Sequence, residues 1–326
     1  MLKNRLAEIY FIGKNLHKVS RYVFVILKQK IIKKLKKIRK FYNKENLNSV
    51  KLDYDYILTP IDGDLFLFTD LEHKLYSNSG LINQKIFFDH HTYSVDTINK
   101  FLIQHFVQEG DIVIDIGTHI GLYSLFLSKL VGNHGKVLCF EPHRDIAKSL
   151  ENNFILNGCR NFEIHNYGLG DKDEELNFNS VNSDSFFEGT VNSSFLSNEK
   201  ISSDYFSGKF EKIKTKVFKL DTILSDEKIT FVKIDTEGFE LNILKGMKKT
   251  IKKAKPIIIF EFHTKRLQYL DVKLKMFDEL LTEHYNVFKI FIDIKTNNIA
   301  FKKFSFENYN EYSGDLFCLP KNLNID

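Results

Sequence analysis

Apolar positions change their period along the chain, and each change marks an element. Between residues 51 and 108 they alternate in short pieces, YDYILT and DLFLFT, with turn residues at Asp62-Gly63 and Asn78 to Gly80. That alternation predicts an antiparallel lead-in. The stretch VDTINKFLIQHFVQEGD then carries apolar residues at helical spacing and closes at Gly110. From Asp111 onward strands and helices alternate. Residues 112–116 and 136–141 read as buried strands, 120–131 as a helix, and 162–167 as a third strand. Between the second and third strands, a helix after Pro142 places Ile146, Leu150 and Phe154 on one side and stops at Gly158.

The alternation resumes at ITFVKID (229–235), continues in a helix bearing Phe239, Ile243, Leu244, Met247 and Ile251, and gives a further strand over 256–262. A last helix is expected over about 266–284. The chain ends in NVFKIFIDI, NIAFKKF and DLFCLP, read as an antiparallel hairpin at a sheet edge around the turn at residues 295–298. The pattern as a whole is that of an α/β protein with a doubly wound, mostly parallel sheet. Residues 177–208 break it. They are rich in serine and asparagine with interspersed phenylalanines, which predicts a lid or binding loop. The expected organisation is a tail over 1–50, the lead-in over 51–108 and the doubly wound domain over 109–326.

Composition changes the picture mainly at the amino end. With 43% apolar and 27% charged residues, the 326-residue chain is that of a folded protein. Cys139, Cys159 and Cys318 lie far apart, with no CxxC pair and no histidine at ligand spacing, so neither a disulfide framework nor a metal site is expected. Residues 1–50 hold 14 Lys or Arg against two acids, whereas the rest of the chain is net acidic. Within residues 28–41, Ile31, Leu35 and Ile38 form a narrow apolar stripe in a basic helix. Such a helix suits peripheral contact with an anionic membrane surface or with nucleic acid, which leaves an RNA substrate as a minor reading, the alternative being a solvated helix packed on the domain. The longest early apolar run, Tyr22 to Leu27, is too short to span a bilayer, and no secretory leader is evident. A cytoplasmic protein, peripheral at most to the inner membrane face, is expected.

The candidate chemistry sits at the first strand of the doubly wound region, VIDIGTHIGLYS. A dinucleotide fingerprint needs G-x-G-x-x-G, so that backbone touches pyrophosphate. Here the spacing is Asp115, Gly117 and Gly121, and either register of the fingerprint puts His119 and Leu122, or Ile120, where glycine belongs. A bulky residue at 119 obstructs a pyrophosphate but not a ligand without phosphates, such as S-adenosylmethionine. Asp115 at the strand tip is placed to accept from that ligand's ammonium. Glu141 ends the next strand at an offset suited to two ribose hydroxyls.

The segments VIDIGTHIGLYSLFLSKLVGNHGKVLCFEPHRDIAKSLENNFILNG, NYGLGD, LDTIL, VKIDTEGFELNILKG and PIIIFEFH, in this order, resemble the FkbM family of S-adenosylmethionine-dependent methyltransferases. The resemblance implies a Rossmann-like fold with a seven-stranded sheet and an antiparallel final hairpin. It also implies methyl transfer to a hydroxyl oxygen on a sugar, glycan or polyketide-like acceptor. Carried over by position, Asp115, Gly117, Thr118, His119, Gly121 and Glu141 belong to the amino-acid and ribose sites. Asn166, Tyr167, Gly168 and Leu169 lie by the adenine, and Asp235 faces the methionine part. Thr118-His119 departs from the small residues or asparagine more usual there.

Methylating a hydroxyl requires a general base. Asp235, Glu237, Glu240, Glu261 and His263 are expected at or just after carboxyl ends of adjacent strands, with Asp235 or Glu237 leading. Glu240 has the competing role of a first-turn helix acid. Lys233, inside a strand, divides between a site role and a side chain snorkelling from the sheet. IDTEGFE stands where a D-P-P-Y-type motif would mark methylation of base amino groups, so nucleic acid is not the expected substrate. The competing classes are a catalytically silent fold attached to membrane or a partner through its basic tail, and a nicotinamide dehydrogenase, which the glycine spacing disfavours.

Overall fold

The structure is a computed structural model that describes residues 50–53, 56–61, 64–69, 95–181, 195, 210–224, 227–293, 298–307 and 312–323. The basic tail and most of the 177–208 segment lie outside the described residues.

The lead-in forms a three-stranded antiparallel sheet of its own, β1 (Val50–Asp53), β2 (Tyr56–Ile61) and β3 (Asp64–Thr69). β2 and β3 pair from Tyr56↔Thr69 to Ile61↔Asp64, and the turn expected at residues 62–63 lies outside the described residues. Helix α1 (Val95–Phe106) follows and leads to the main sheet.

That sheet is built from β4 (Ile112–Ile116), β5 (Lys136–Phe140), β6 (Phe162–His165), β10 (Ile229–Ile234), β11 (Ile257–His263), β12 (Tyr285–Asp293), β13 (Asn298–Lys303) and β14 (Ser313–Pro320), numbered along the chain. Its order is β13-β12-β14-β11-β10-β4-β5-β6. β6, β5, β4, β10 and β11 run parallel, and β14, β12 and β13 are antiparallel to their neighbours. The terminal hairpin is therefore at the edge as expected, with its outer arm β13 adding an eighth strand, while β14 inserts between the hairpin and β11.

Alternation along each central strand assigns side chains to two cores, one per face. Ile114, Ile116, Leu138, Phe140, Val232, Ile234, Ile258 and Phe260 enter one core. Val113, Val137, Cys139, Phe231, Ile257 and Ile259 enter the other, packed by α2 (Leu122–Val131), α3 (Arg144–Asn157) and α1. Burial on both faces is what makes these strands continuous apolar runs. Asp115 and Lys233 fall on the second face by parity, and register pairs them side by side across β4 and β10.

Chain order gives the site its position. From β4 the chain winds outward to β5 and β6, then returns to β10 on the other side of β4. The crevice beyond the carboxyl ends of β4 and β10 is thus a topological switch point, where open α/β sheets bind ligands.

Several elements depart from the periodic reading. The strand expected over 162–167 ends at His165, and Gly168–Leu169 (β7) joins a second, three-stranded sheet with β8 (Glu174–Val181) and β9 (Phe210–Phe218). The first five residues of the segment expected as a lid, 177–181, therefore belong to a strand, β8, whose register runs to Val181↔Phe210. After the four-residue helix α4 (Leu220–Ile223), the single helix expected to carry Phe239 through Ile251 is two, α5 (Glu240–Gly246) and α6 (Lys248–Lys253). Two contacts lie at the break. Gly246 lies so close to the Gly170 carbonyl that an added Cβ would sit 1.8 Å from it. The Asp221 carboxylate then caps the new helix, accepting from Lys249 N, Thr250 N and Thr250 Oγ1 at 2.6, 2.9 and 2.8 Å. The helix expected over 266–284 is likewise α7 (Thr264–Tyr269) and α8 (Lys275–Leu281), separated by a turn with Asp271 at φ 54°.

Candidate active site

The β4 loop is fixed by its neighbours on both sides. Gly117 N donates to Phe140 O at 3.0 Å and Asp235 N donates to Ile116 O at 3.0 Å. At φ 78°, Gly117 presents the position of a missing Cβ 1.8 Å from the Asp235 carbonyl oxygen. Only glycine permits that approach. Gly121 ends the loop as the left-handed residue before α2, and Asn153 Nδ2 ties the loop to α3 through Ile120 O at 2.8 Å.

These constraints place a cavity at the switch point. Of the expected cofactor residues, Asp115, Gly117, Thr118, His119, Glu141, Tyr167, Gly168 and Leu169 line it, as do Asp235 and Glu237. Gly121 and Asn166 do not. Asn166 instead donates its amide to the carbonyls of Glu141 and Pro142 at 2.9 and 3.1 Å, which buttresses the loop bearing Glu141.

Asp115 is 1% exposed, and Ser124 Oγ donates to its Oδ2 at 2.5 Å. Its Oδ1 is buried and has no hydrogen-bond partner among the described residues. Burial raises the Asp115 carboxyl above its ordinary range, against the opposing influence of Lys233 and the Ser124 bond. Glu141 accepts from His119 N at 3.0 Å and His143 N at 2.9 Å, one bond to each oxygen. Burial pushes its carboxyl up to about 7, those two backbone bonds opposing. Thr118 Oγ1 is a second buried polar atom with no partner among the described residues. An unpaired buried oxygen facing a cavity is costly unless a ligand satisfies it.

The far wall is aromatic. Tyr167 lies near Phe140 and donates to or accepts from His165 Nδ1 at 3.0 Å. Phe178 from β8, Phe195 and Phe239 complete this side, with Phe195 centroids 5.1 Å from both other rings. Phe178 and Phe195 fall in the 177–208 segment expected as a lid or binding loop, and Phe239 in an expected helix. Their meeting at one wall depends on contacts between segments far apart in the chain.

The base candidates separate into two groups. Asp235 lines the cavity with its side chain 42% exposed, and Lys233 Nζ donates to its Oδ2 at 2.9 Å. Lys233 itself is 4% exposed and lies 4.3 Å over the Tyr123 ring, so it is a buried cation of the cavity wall rather than a snorkelling side chain. Burial works against its charge, but Asp235, Asp115 and Asp315 raise its pKa above the ordinary lysine value.

Glu237, also at the wall, is held by Arg266 Nη2 at 2.6 Å, and Arg266 Nη1 donates to Glu261 Oε2 at 2.8 Å. Glu261 Oε1 meets His263 Nε2 at 2.8 Å, and His263 Nδ1 meets Ser313 Oγ at 2.6 Å. Glu261 and His263 thus lie behind the cavity, linked to it through Arg266, a residue that sequence reasoning missed inside a helical pattern. Burial and the neighbouring Glu261 raise the Glu237 carboxyl well above its ordinary range, while Arg266 lowers it. Single oxygens of Asp235, Glu237 and Glu261 lie within 4.8 Å of one another, a spacing in which a cation fits, but Arg266 already bonds two of the three. Glu240 takes its bland role: its Oε1 accepts from Thr236 N, Thr236 Oγ1 and Gly238 N at 3.0–3.1 Å, closing the turn that opens α5.

Comparison with known proteins places this arrangement. The chain is 24% identical over 199 residues to the AMB antimetabolite synthetase AmbE of Pseudomonas aeruginosa, covering 53% of this chain and 9% of that protein. It is similar in structure to a methyltransferase FkbM from Methylobacillus flagellatus (TM-score 0.38, 16% identity, 76% of this chain and 58% of that one). A SAM-dependent O-methyltransferase from Thermotoga maritima gives TM-score 0.38 and 12% identity, covering 82% of this chain and 78% of that one. The chain thus spans only a small part of the curated relative it matches. The profile of the methyltransferase FkbM domain matches residues 115–288, from the carboxylate at the tip of β4 to the edge hairpin, and so takes in every cavity residue named above. With more than half of its length matched, the chain belongs to the FkbM methyltransferase family.

Proposed function

We propose that the protein methylates a hydroxyl oxygen of a sugar, glycan or small hydroxylated metabolite, using S-adenosylmethionine in an in-line displacement. The observation that carries the reading is the meeting of Asp115, the Gly117 loop, Glu141 and Asp235 around one cavity at the switch point. The residues present fit that cofactor. Asp115 Oδ1 is an unsatisfied buried acceptor suited to an ammonium, and Glu141 offers a carboxylate edge to a vicinal diol. The aromatic wall of Tyr167, Phe178, Phe195 and Phe239 suits a purine face. His119, on the cavity wall, stands where a pyrophosphate would need close backbone approach.

When bound, the cofactor supplies an electrophilic methyl on a sulfonium. The protein's part is alignment and proton removal. Holding the acceptor oxygen in line can account for a large share of the rate. Asp235 is the proton acceptor in this reading, because its carboxylate is at the wall with its side chain 42% exposed. Glu237 is held by Arg266 and shapes the acceptor side. Glu261 and His263 act behind it, orienting Arg266.

Isothermal titration with S-adenosylhomocysteine and with NAD tests the cofactor, and transfer of labelled methyl to sugars and lipid-linked glycans tests the acceptor. Heat with the first ligand only, followed by label on a hydroxylated acceptor, is expected. Heat with NAD alone overturns the reading. Binding without transfer to any acceptor would favour the silent-fold alternative.

A further inference from the structure

We propose that Lys233 is the anchor for the α-carboxylate of the cofactor, so that the amino-acid end is recognised by a matched cation and anion, Lys233 and Asp115, side by side on β10 and β4. This rests on the S-adenosylmethionine reading above.

The argument starts from charge. The cavity wall holds four acids, Asp115, Glu141, Asp235 and Glu237, and among the described residues Lys233 is the sole Lys or Arg in it. An ammonium and a sulfonium find partners easily in such a wall. A carboxylate does not. It would meet repulsion from those four acids, and Lys233 is the lysine or arginine that the described wall offers it.

Geometry gives Lys233 the capacity for that bond. An ammonium carries three donors in tetrahedral array. One is directed at Asp235 Oδ2, 2.9 Å away, and the ring of Tyr123 covers another side at 4.3 Å. Among the described residues no second acceptor is bonded to Nζ, although the residue is 4% exposed and reaches the cavity surface. A buried lysine in the middle of a parallel strand is costly unless its charge is used, and on its own face of the sheet it stands between the buried Phe231 and the partly exposed Asp235 at the cavity. Register adds the second half of the clamp: Lys233 pairs with Asp115, whose Oδ1 is the buried acceptor with no partner among the described residues. The two groups of an α-amino acid have opposite charges on one carbon, and adjacent strands present opposite charges at one level.

The test is a ligand-by-variant cycle measured by isothermal titration. The ligands are S-adenosylhomocysteine and its decarboxylated analogue, which keeps the ammonium and loses the carboxylate. The proteins are wild type, Lys233→Met and the charge-balanced double variant Lys233→Met/Asp235→Asn, which guards against misfolding from an unpaired carboxylate. The expected result is that S-adenosylhomocysteine weakens by about 30-fold in both variants, while the analogue changes by less than about threefold. Equal weakening of both ligands would overturn the proposal, since it would mean that Lys233 acts through the fold. Unchanged binding of S-adenosylhomocysteine would overturn it too. If neither ligand binds wild type, the cofactor reading itself has failed, an outcome distinct from the other two.

Discussion

Replacing Gly117 with alanine tests whether the β4 loop is seated on β10 as described. The new Cβ would lie 1.8 Å from the Asp235 carbonyl oxygen, 2.9 Å from its carbon and 3.2 Å from Thr236 Cγ2. A carbon and a carbonyl oxygen approach to about 3.3 Å at closest, so one segment must move by roughly 1.5 Å. Backbone is on both sides of this contact, so no side chain can rotate out of the way. The displacement stretches the Asp235 N to Ile116 O and Gly117 N to Phe140 O bonds, now 3.0 Å each, beyond useful reach. Loss of two such bonds, at about 1 kcal/mol apiece or more if the groups stay buried, adds to about 1–2 kcal/mol for a side chain in the left-handed region. The expected total is of order 4 kcal/mol, a large part of the usual net stability of about 5–15 kcal/mol. Gly110→Ala is the control: φ is 91° there, but nothing lies within 4 Å of the added Cβ, so only the conformational cost applies. Urea unfolding should therefore separate the two variants by several kcal/mol. S-adenosylhomocysteine titration should show weakened or absent binding only in Gly117→Ala. Equal unfolding midpoints for the two variants would refute the close approach, and with it the mutual positioning of Asp115 and Asp235.

Three further outcomes are expected. Because burial lifts Glu141 from 4.5 to about 7, the folded state favours its neutral form. Its contribution to stability is full below pH 4.5 and declines as pH rises to about 7, by up to roughly 3 kcal/mol. Urea titrations from pH 4.5 to 8 should show a shallower decline in Glu141→Gln, and parallel curves would refute the assignment. Arg266→Met leaves Glu237 and Glu261 without their shared cation. It should destabilise by about 3–5 kcal/mol, with substantial recovery in Arg266→Met/Glu237→Gln, both read from urea midpoints. Asp221→Ala removes the carboxylate that caps α6 and should cost about 1–2 kcal/mol, while leaving S-adenosylhomocysteine affinity within twofold, since Asp221 is remote from the cavity wall.

The parts of the fold legible in the sequence are those where local pattern and tertiary burial coincide. Strands β4, β5, β10 and β11 are apolar because both faces are covered, and their ends fell where polar residues and glycine interrupt the run. The β4 loop was legible for a related reason: a strand tip, a glycine and an acid lie within seven residues, so sequence spacing is itself the geometry. What was not legible depends on contacts between distant segments. Nothing local to Gly246 announces the carbonyl of Gly170, yet that contact helps to end α5. Residues 174–181 and 210–218 pair across a gap rich in serine and asparagine, and the polar positions of β8 hide its strand character.

The same distinction explains the site. Acids could be placed by position at strand ends, and Lys233 noted in mid-strand with its role open. Arg266 could not be placed, because its partners Glu237 and Glu261 come from other elements. Those two cations divide the carboxylates into an Asp115, Asp235 and Asp315 group around Lys233 and a Glu237 and Glu261 group around Arg266. The first group lies where β4 and β10 meet, and the second extends toward β11 and β14. Each cation holds a cluster of acids that could not otherwise share so small a volume, and Asp235 stands where the clusters adjoin.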